Sequence, residues 1–480
     1  MKTDQALQSG ISQPTAGSSI AASLPISRRA FLVNATLAAC GLPLYASQVK
    51  SAKPARSCIV VGAGFAGLTA AYRLSAAGWK VTVLEARNRA GGRAWSYSFP
   101  QAPELVCEMG GEWIGNEHKR ILALAKELNV PLEPHTYRVW LLQHGQFRAP
   151  GSWGFSAQSQ TAWKSFMARY QHYREMDKHH LDEYDWWTWL GKIGISDDDR
   201  RIREIMDSTD YGESIRQVSA YVAADEYVDT DYINPNSTDE MDFHVRGGNS
   251  KLIAALAARL APGALHLNAP VKTITQRSGH VTVTTANDKF AADACIFAAP
   301  ASVLNSIAFD PPLSATKAQA ADELEYGRII KTQMLFNRRF WPAEDFSLMS
   351  DETSHQYFHT TQGQQGPRGI LCSYAVGDKA DVLASQTKAA RQEQLMHDLR
   401  AVSPDAAAML IDSFDQPWQN DPWVHGAYAI YRPGQWFRIR PLLQEPHGKV
   451  LFAGEHLGDW QGFMEGAVST GEIAAQHLLV

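Results

Sequence analysis

The chain has 480 residues, 45% hydrophobic and 20% charged, with a formal net charge of −5. This is an ordinary globular composition, long enough to bury a large core and to divide into two or three domains. It excludes collagen, coiled coil and bulk disorder, and the acidic excess excludes a nucleic-acid binder working through bulk charge. No uninterrupted apolar run reaches the roughly 18 to 20 residues that a membrane helix needs. Cys40, Cys58, Cys107, Cys295 and Cys372 form no CxxC pair and stand near no His at metal-ligand spacing. Buried free thiols and no metal are the expectation.

Residues 1–26 are polar, rich in Ser, Gln and Ala, and without hydrophobic period, as expected of a leader with no fixed fold. Ser27-Arg28-Arg29-Ala30-Phe31-Leu32 then precedes a modestly apolar stretch ending at Tyr45. Twin arginines before Phe-Leu resemble a twin-arginine export signal. The apolar stretch, weakened by Asn34 and Thr36, suits a route that carries proteins already folded around a cofactor. Leu37-Ala38-Ala39-Cys40 also resembles a lipoprotein cleavage box, which would add a lipid anchor at Cys40. Residues 1–50 are therefore read as an address outside the fold. The expected location is periplasmic or secreted, with the twin-arginine translocation machinery as a partner.

Cys58-Ile59-Val60-Val61 is a short β-branched run that meets Gly62-Ala63-Gly64-Phe65-Ala66-Gly67. An Ala-rich helix over Leu68–Ala77 follows, closed by Gly78, and Lys80–Leu84 alternates as a second strand ending in Glu85. Each part has a physical job in dinucleotide binding. Gly62 makes the turn, Gly64 lets the backbone approach a pyrophosphate, and Gly67 lets helix and strand pack closely. The helix N-terminus attracts negative charge. Glu85, 18 residues after Gly67, can accept from a ribose hydroxyl and disfavours a 2′-phosphate. Arg87, Arg93 and the Gly91-Gly92 pair form a second place to hold phosphate, which an NAD domain does not need.

At this point the sequence resembles the flavin-containing amine oxidase family, within the FAD-binding superfamily that shares an Arg-x-x-Gly-Gly-Arg element. The resemblance continues in blocks to the C-terminus. It implies an α/β protein: a Rossmann-like FAD-binding domain plus an α+β substrate-binding domain with a helical insert. FAD-binding stretches would cover 54–135, 241–310 and 423–480, with the helical insert at 136–240 and the substrate domain at 311–422. By resemblance, Arg87 and Arg93 would contact the pyrophosphate or flavin, and Glu85 the adenosine ribose.

Glu108-Met109-Gly110-Gly111-Glu112-Trp113 resembles the family segment beside the flavin ring, where Gly110 and Gly111 permit backbone contact. A helical pattern runs from 117 to 129. Residues 136 to about 235 carry Trp153, Trp163, Trp186, Trp187 and Trp189 with few glycines, and read as mostly helical. A helix over Lys251–Leu260 is followed by strands at Ala264–Leu267, Pro270–Gln276 and His280–Thr285, then a buried strand from Asp293 to Pro300. The family order would put Val271 against the adenine. Gly327–Phe336 reads as a strand whose Lys331 matches the lysine that holds a water against the reactive flavin nitrogen. A helix is expected over 387–402.

The C-terminal block is the most specific. Lys449–Glu455 reads as strand then turn, and Trp460-Gln461-Gly462-Phe463-Met464-Glu465-Gly466 opens a last helix whose N-terminus would face the flavin and favour the anionic reduced ring. Cofactor contacts would also come from Trp423, Gly454, Glu455, Gly462, Phe463 and Met464. Tyr428 and Phe463 stand where the family places two parallel aromatic walls, a slot that suits an amine. Ala427 precedes Tyr428 where some members carry a cysteine bonded to the flavin, so non-covalent FAD is expected. The catalytic set implied is Lys331, Tyr428 and Phe463, with Glu112 and Trp113 also contacting substrate.

The implied activity is FAD-dependent oxidative deamination of a primary amine or polyamine to an imine and then a carbonyl compound. Oxygen, yielding hydrogen peroxide, or a periplasmic carrier would take the electrons. Glu112 would favour an amine without a carboxylate and could attract a second ammonium of a polyamine. An amino-acid oxidase of the same fold stays open, with Arg216 as one source of a carboxylate partner. So does a flavin module that only transfers electrons. A homodimer is an open option.

Overall fold

The computed structural model describes residues 56–227 and 240–480. The arginine pair Arg28-Arg29 and Cys40 lie outside the described residues. Cys58, Cys107, Cys295 and Cys372 are all buried free thiols.

Ser57–Val61 is the middle strand of a five-stranded sheet, ordered Val450–Phe452, Ala294–Phe297, Ser57–Val61, Lys80–Leu84, Leu265–His266. All its pairings are parallel. Its central strands are apolar at nearly every position because both faces are covered: one by the helices Phe65–Ala76, Ser250–Ala257 and Met464–Leu479, the other by a four-stranded sheet that includes Thr273–Arg277 and His280–Thr284. Gly62 turns the chain at φ +102° and donates its N–H to Leu84 O at 2.8 Å. The helix Phe65–Ala76 begins there with Gly64 as an N-cap that offers no side-chain cap. It packs closely against the last helix, Met464–Leu479. A Cβ at Gly471 of that helix would run into the Ala66 carbonyl.

The second large sheet has seven strands, in the order Leu410–Pro417, Ile329–Phe336, Gly369–Val376, Gln356–His359, Phe346–Ser350, Arg138–Gln143, Gln146–Arg148. Ile329–Phe336 is buried at all eight positions. Alternation sorts them into two faces. Ile330, Met334 and Phe336 join a cluster with Leu383, Leu395 and Leu399 of the helices Gly377–Ser385 and Lys388–Leu399. Lys331 and Gln333 face the other way, toward the segment after the strand Ala102–Glu108.

One reading changes here. Residues 138–148, expected to be helical, form a hairpin that extends this sheet beside Phe346–Ser350. Its turn places His144 at φ +52° and Gly145 at φ +71°, the left-handed pair that fits a tight two-residue connection. Helices begin only at Ala157 and continue as Ala157–Tyr170, Glu175–Asp182, Trp186–Ile193, Asp197–Tyr211 and Ala220–Glu226. Ser156, Asp185, Ser196 and Ser219 cap four of them with side-chain oxygens. The Asp197-Asp198-Asp199 run occupies a first helical turn, where the helix dipole favours acids.

Candidate functional site

A cavity of about 530 Å³ runs from the C-terminal edge of the five-stranded sheet to the seven-stranded sheet. At its first end lie Gly62, Gly64, Glu85, Gly92 and Val271. Glu85 is held by backbone donors, Ala63 N–H at 2.8 Å and Arg87 N–H at 2.9 Å. Gly64 faces open space: a Cβ there would meet only Gly91 O, 4.0 Å away. Gly67 does not line the cavity. A Cβ at Gly67 would strike the Gly62 carbonyl, so this glycine permits the close packing of the helix on the turn.

Arg87 and Arg93 line the same cavity, and each is ion-paired with a carboxylate. Arg87 Nη1 and Nη2 bind Asp421 at 2.6 and 2.7 Å. Arg93 Nη1 lies 2.8 Å from Glu455 Oε1. Each is held in place by its carboxylate partner at the cavity wall. Glu455 also accepts from Gly462 N–H at 2.9 Å, which anchors the turn before the last helix. Gly454, Gly462, Phe463 and Met464 complete this wall, and Trp423 forms its outer rim with 37% of its surface exposed.

The middle of the cavity is bounded by the strap Glu108–Glu112. Every carbonyl along it is captured by a side chain. Gln333 binds Glu108 O, Trp418 binds Met109 O, Lys331 binds Gly110 O, and Asn249 binds both Gly111 O and Glu112 O. Satisfying five buried acceptors this way holds the backbone rigidly without regular secondary structure. Beneath it, burial pushes the Glu108 carboxyl up to about 8, although Asn249 N–H and the Ser96 hydroxyl bond to it.

Lys331 is buried, with Nζ also 2.8 Å from Glu112 Oε2. Burial opposes its charge, yet the Glu112 carboxylate outweighs that and holds the ammonium above the ordinary lysine value. Glu112 Oε1 accepts from the Thr360 hydroxyl at 3.1 Å. Glu112 thus lines the cavity while bonded to both Lys331 and Thr360. Trp113 lines the cavity beside it, packed on Tyr137 and Phe358.

At the far end Tyr428 and Phe463 both line the cavity. The Phe463 ring is braced by His118 at 5.1 Å and Trp460 at 5.5 Å between centroids. The Tyr428 hydroxyl donates to Thr209 O at 2.6 Å. Tyr374, Thr209, Asp210 and Glu240 also face this end and were not singled out from the sequence. They come from the helical segment and from a distant strand, with no motif to mark them. Burial and the nearby Asp207 carboxylate push Asp210 up to about 7. Arg216 does not line the cavity; it lies 3.6 Å over the Trp187 ring.

Three observations fit a flavin dinucleotide. The first is the Gly64 approach. The second is the two helix starts at Gly64 and Phe463, both at the cavity and both without a side-chain cap. Such starts leave donors for negative oxygen or nitrogen atoms. The third is the flat strap of Gly110 and Gly111.

A family model described as flavin containing amine oxidoreductase matches residues 65–479. A Mycobacterium tuberculosis protein named as a flavin-containing monoamine oxidase is 29% identical over 458 residues, 88% of this chain and 96% of its own. An L-amino acid dehydrogenase of Synechocystis is 24% identical over 460 residues, 88% of this chain and 94% of its own. A solved putrescine oxidase with putrescine bound shares the fold with a TM-score of 0.79 at 22% identity, over 88% of this chain and 99% of that one.

Proposed function

The chain belongs to the flavin-containing amine oxidoreductases and is an oxidoreductase enzyme, and from that premise we propose that it oxidatively deaminates an amine that carries no carboxylate. The observation that carries this reading is the charge inventory of the cavity. Among the described residues that line it, Lys331, Arg93 and Arg87 are each committed to a protein carboxylate. Lys272 stands next to Val271 at the opposite end from the aromatic pair. Among the described residues lining the cavity, no lysine or arginine is left near Tyr428 and Phe463 to pair with a substrate carboxylate, whereas Asp210 and Glu240 lie there. A site built for an amino acid needs a fork of donors for that carboxylate.

FAD, held along Gly62, Gly64, Glu85, Gly110 and Gly111, would supply hydride acceptance from the α-carbon of the amine and two-electron exchange with oxygen or another carrier. The protein residues orient and exclude. Tyr428 and Phe463 make a π-faced slot for the nitrogen-bearing carbon. Lys331, fixed by Gly110 O and Glu112, places an ammonium donor beside the glycine strap. The uncapped start of the last helix favours negative charge at the same place. The amine loses the hydride and a proton from nitrogen to become an imine, and water then yields the carbonyl compound and ammonia or an amine. With oxygen as acceptor the second product is hydrogen peroxide.

Ala427 offers no nucleophile, which supports non-covalent FAD; acid or heat should release the colour from precipitated protein. The Ser27-Arg28-Arg29 segment supports twin-arginine export to the periplasm or beyond. Arg28→Lys with Arg29→Lys should hold the precursor in the cytoplasm, and unchanged export would reject that address. The relative named as an L-amino acid dehydrogenase keeps an amino-acid substrate as the second reading. Anaerobic bleaching of the flavin with monoamines, polyamines and L-amino acids tests the two. Bleaching by amino acids alone would overturn the amine reading.

A further inference from the structure

The helix Asp197–Tyr211 ends at the cavity, and its last carbonyls have no partner within the helix. One of them, Thr209 O, is taken by two tyrosines. The Tyr428 hydroxyl lies 2.6 Å from it and the Tyr374 hydroxyl 3.2 Å, while the two hydroxyls are 2.7 Å apart. Each hydroxyl has one proton. The two short contacts are satisfied together when Tyr428 donates to Thr209 O and Tyr374 donates to the Tyr428 oxygen. Tyr374 is itself held in place by the sheet, where it pairs across the ladder with Lys331. It is buried, and its ring lies 5.7 Å from Lys331 Nζ. Phe463, the opposite wall, has no hydroxyl and rests on packing against His118 and Trp460.

We propose that Tyr374 is a positioning residue: it locks the plane of the Tyr428 ring through the chain Tyr374–Tyr428–Thr209 and so sets the geometry of the amine slot. This rests on the amine reading above. It makes Tyr428 the wall fixed by hydrogen bonds and Phe463 the wall fixed by packing. A ring pinned at its hydroxyl end, with its carbonyl also accepting from Gly327 N–H at 2.8 Å, keeps the substrate carbon in the near-attack geometry on which rate depends.

The test is a double-mutant cycle in the flavin-loaded protein, followed by anaerobic stopped-flow bleaching with benzylamine or whichever amine of the panel bleaches fastest. Tyr374→Phe is expected to lower the limiting rate roughly five- to tenfold, the worth of one neutral hydrogen bond. Flavin content should stay unchanged. Tyr428→Phe should cost at least as much, and the double variant no more than Tyr428→Phe alone. Losses that multiply would overturn the proposal, because Tyr374 would then act independently of Tyr428. A second arm needs no substrate. In protein labelled with 3-fluorotyrosine, the Tyr428 resonance, identified by its loss in Tyr428→Phe, should shift or broaden in Tyr374→Phe; an unmoved resonance overturns the proposal. If no amine bleaches the parent protein, the amine reading falls and the fluorine arm alone decides Tyr374.

Discussion

Lys331 Nζ stands 2.8 Å from Glu112 Oε2 and 2.9 Å from Gly110 O, so one buried ammonium ties the seven-stranded sheet to the glycine strap. Both side chains are about 6% exposed, and the pair is shielded from solvent. A buried pair contributes little net stability over an apolar replacement, but breaking it leaves one charge stranded. Glu112→Leu should therefore destabilise the flavin-loaded protein by about 3–5 kcal/mol in urea unfolding. The double variant Glu112→Leu with Lys331→Met should recover most of that loss. Losses that simply add would show that the two groups do not depend on each other.

Removing the lysine alone separates chemistry from cofactor retention. Lys331→Met should keep FAD bound, because the glycine approach and the helix starts are untouched, yet flavin reduction or reoxidation should slow. The check is stopped-flow absorbance of the bound flavin in each half-reaction. Unaltered rates in both would strip Lys331 of its role.

Two glycines of the first turn should respond differently to one added methyl group. At Gly64, φ is −77° and the methyl would enter open cavity. Gly64→Ala should leave the flavin-free fold within about 1 kcal/mol of the parent while abolishing or sharply weakening flavin retention. At Gly67 the methyl would collide with backbone, so Gly67→Ala should lower thermal stability even without cofactor. Melting curves of flavin-free protein beside flavin content after gel filtration distinguish the two. Equal destabilisation of both flavin-free variants would contradict the placement of Gly64.

His118 braces Phe463 and should leave a mark on acid stability. Its Nδ1 accepts from Gly115 N–H at 2.8 Å, and burial lowers its pKa to about 4. Below pH 6.5 the unfolded chain binds a proton that the folded protein refuses. The contribution of neutral His118 is therefore complete above about pH 6.5 and is lost as pH falls toward 4, by about 3 kcal/mol in all. His118→Gln keeps an acceptor for Gly115 and cannot charge. It should flatten the fall of unfolding free energy between pH 6.5 and 4. Burial likewise lowers His135 and His456 to about 4, so a residual slope should persist. A slope identical to the parent would refute the assignment.

Local chemistry made much of the fold readable. The strand–glycine turn–helix–strand unit at 57–85 is short, so periodicity and glycine spacing carry it without help from distant residues. The last helix was readable for the same reason, although it starts at Met464 rather than Trp460. The hairpin at 138–148 is not legible in its own segment, because the strand Arg138–Gln143 is fixed by pairing with Phe346–Ser350, some 200 residues further along the chain.

From sequence alone came the nucleotide-binding turn, the family and the residue types around the cavity, because these depend on identity and near-neighbour spacing. The tertiary structure decided which charges remain available. Lys331 meets Glu112 across 219 residues, Arg87 meets Asp421 across 334, and Tyr428 meets Thr209 across 219. Pairings over such separations are created by sheet register and helix ends meeting in the folded chain, and no linear pattern encodes them.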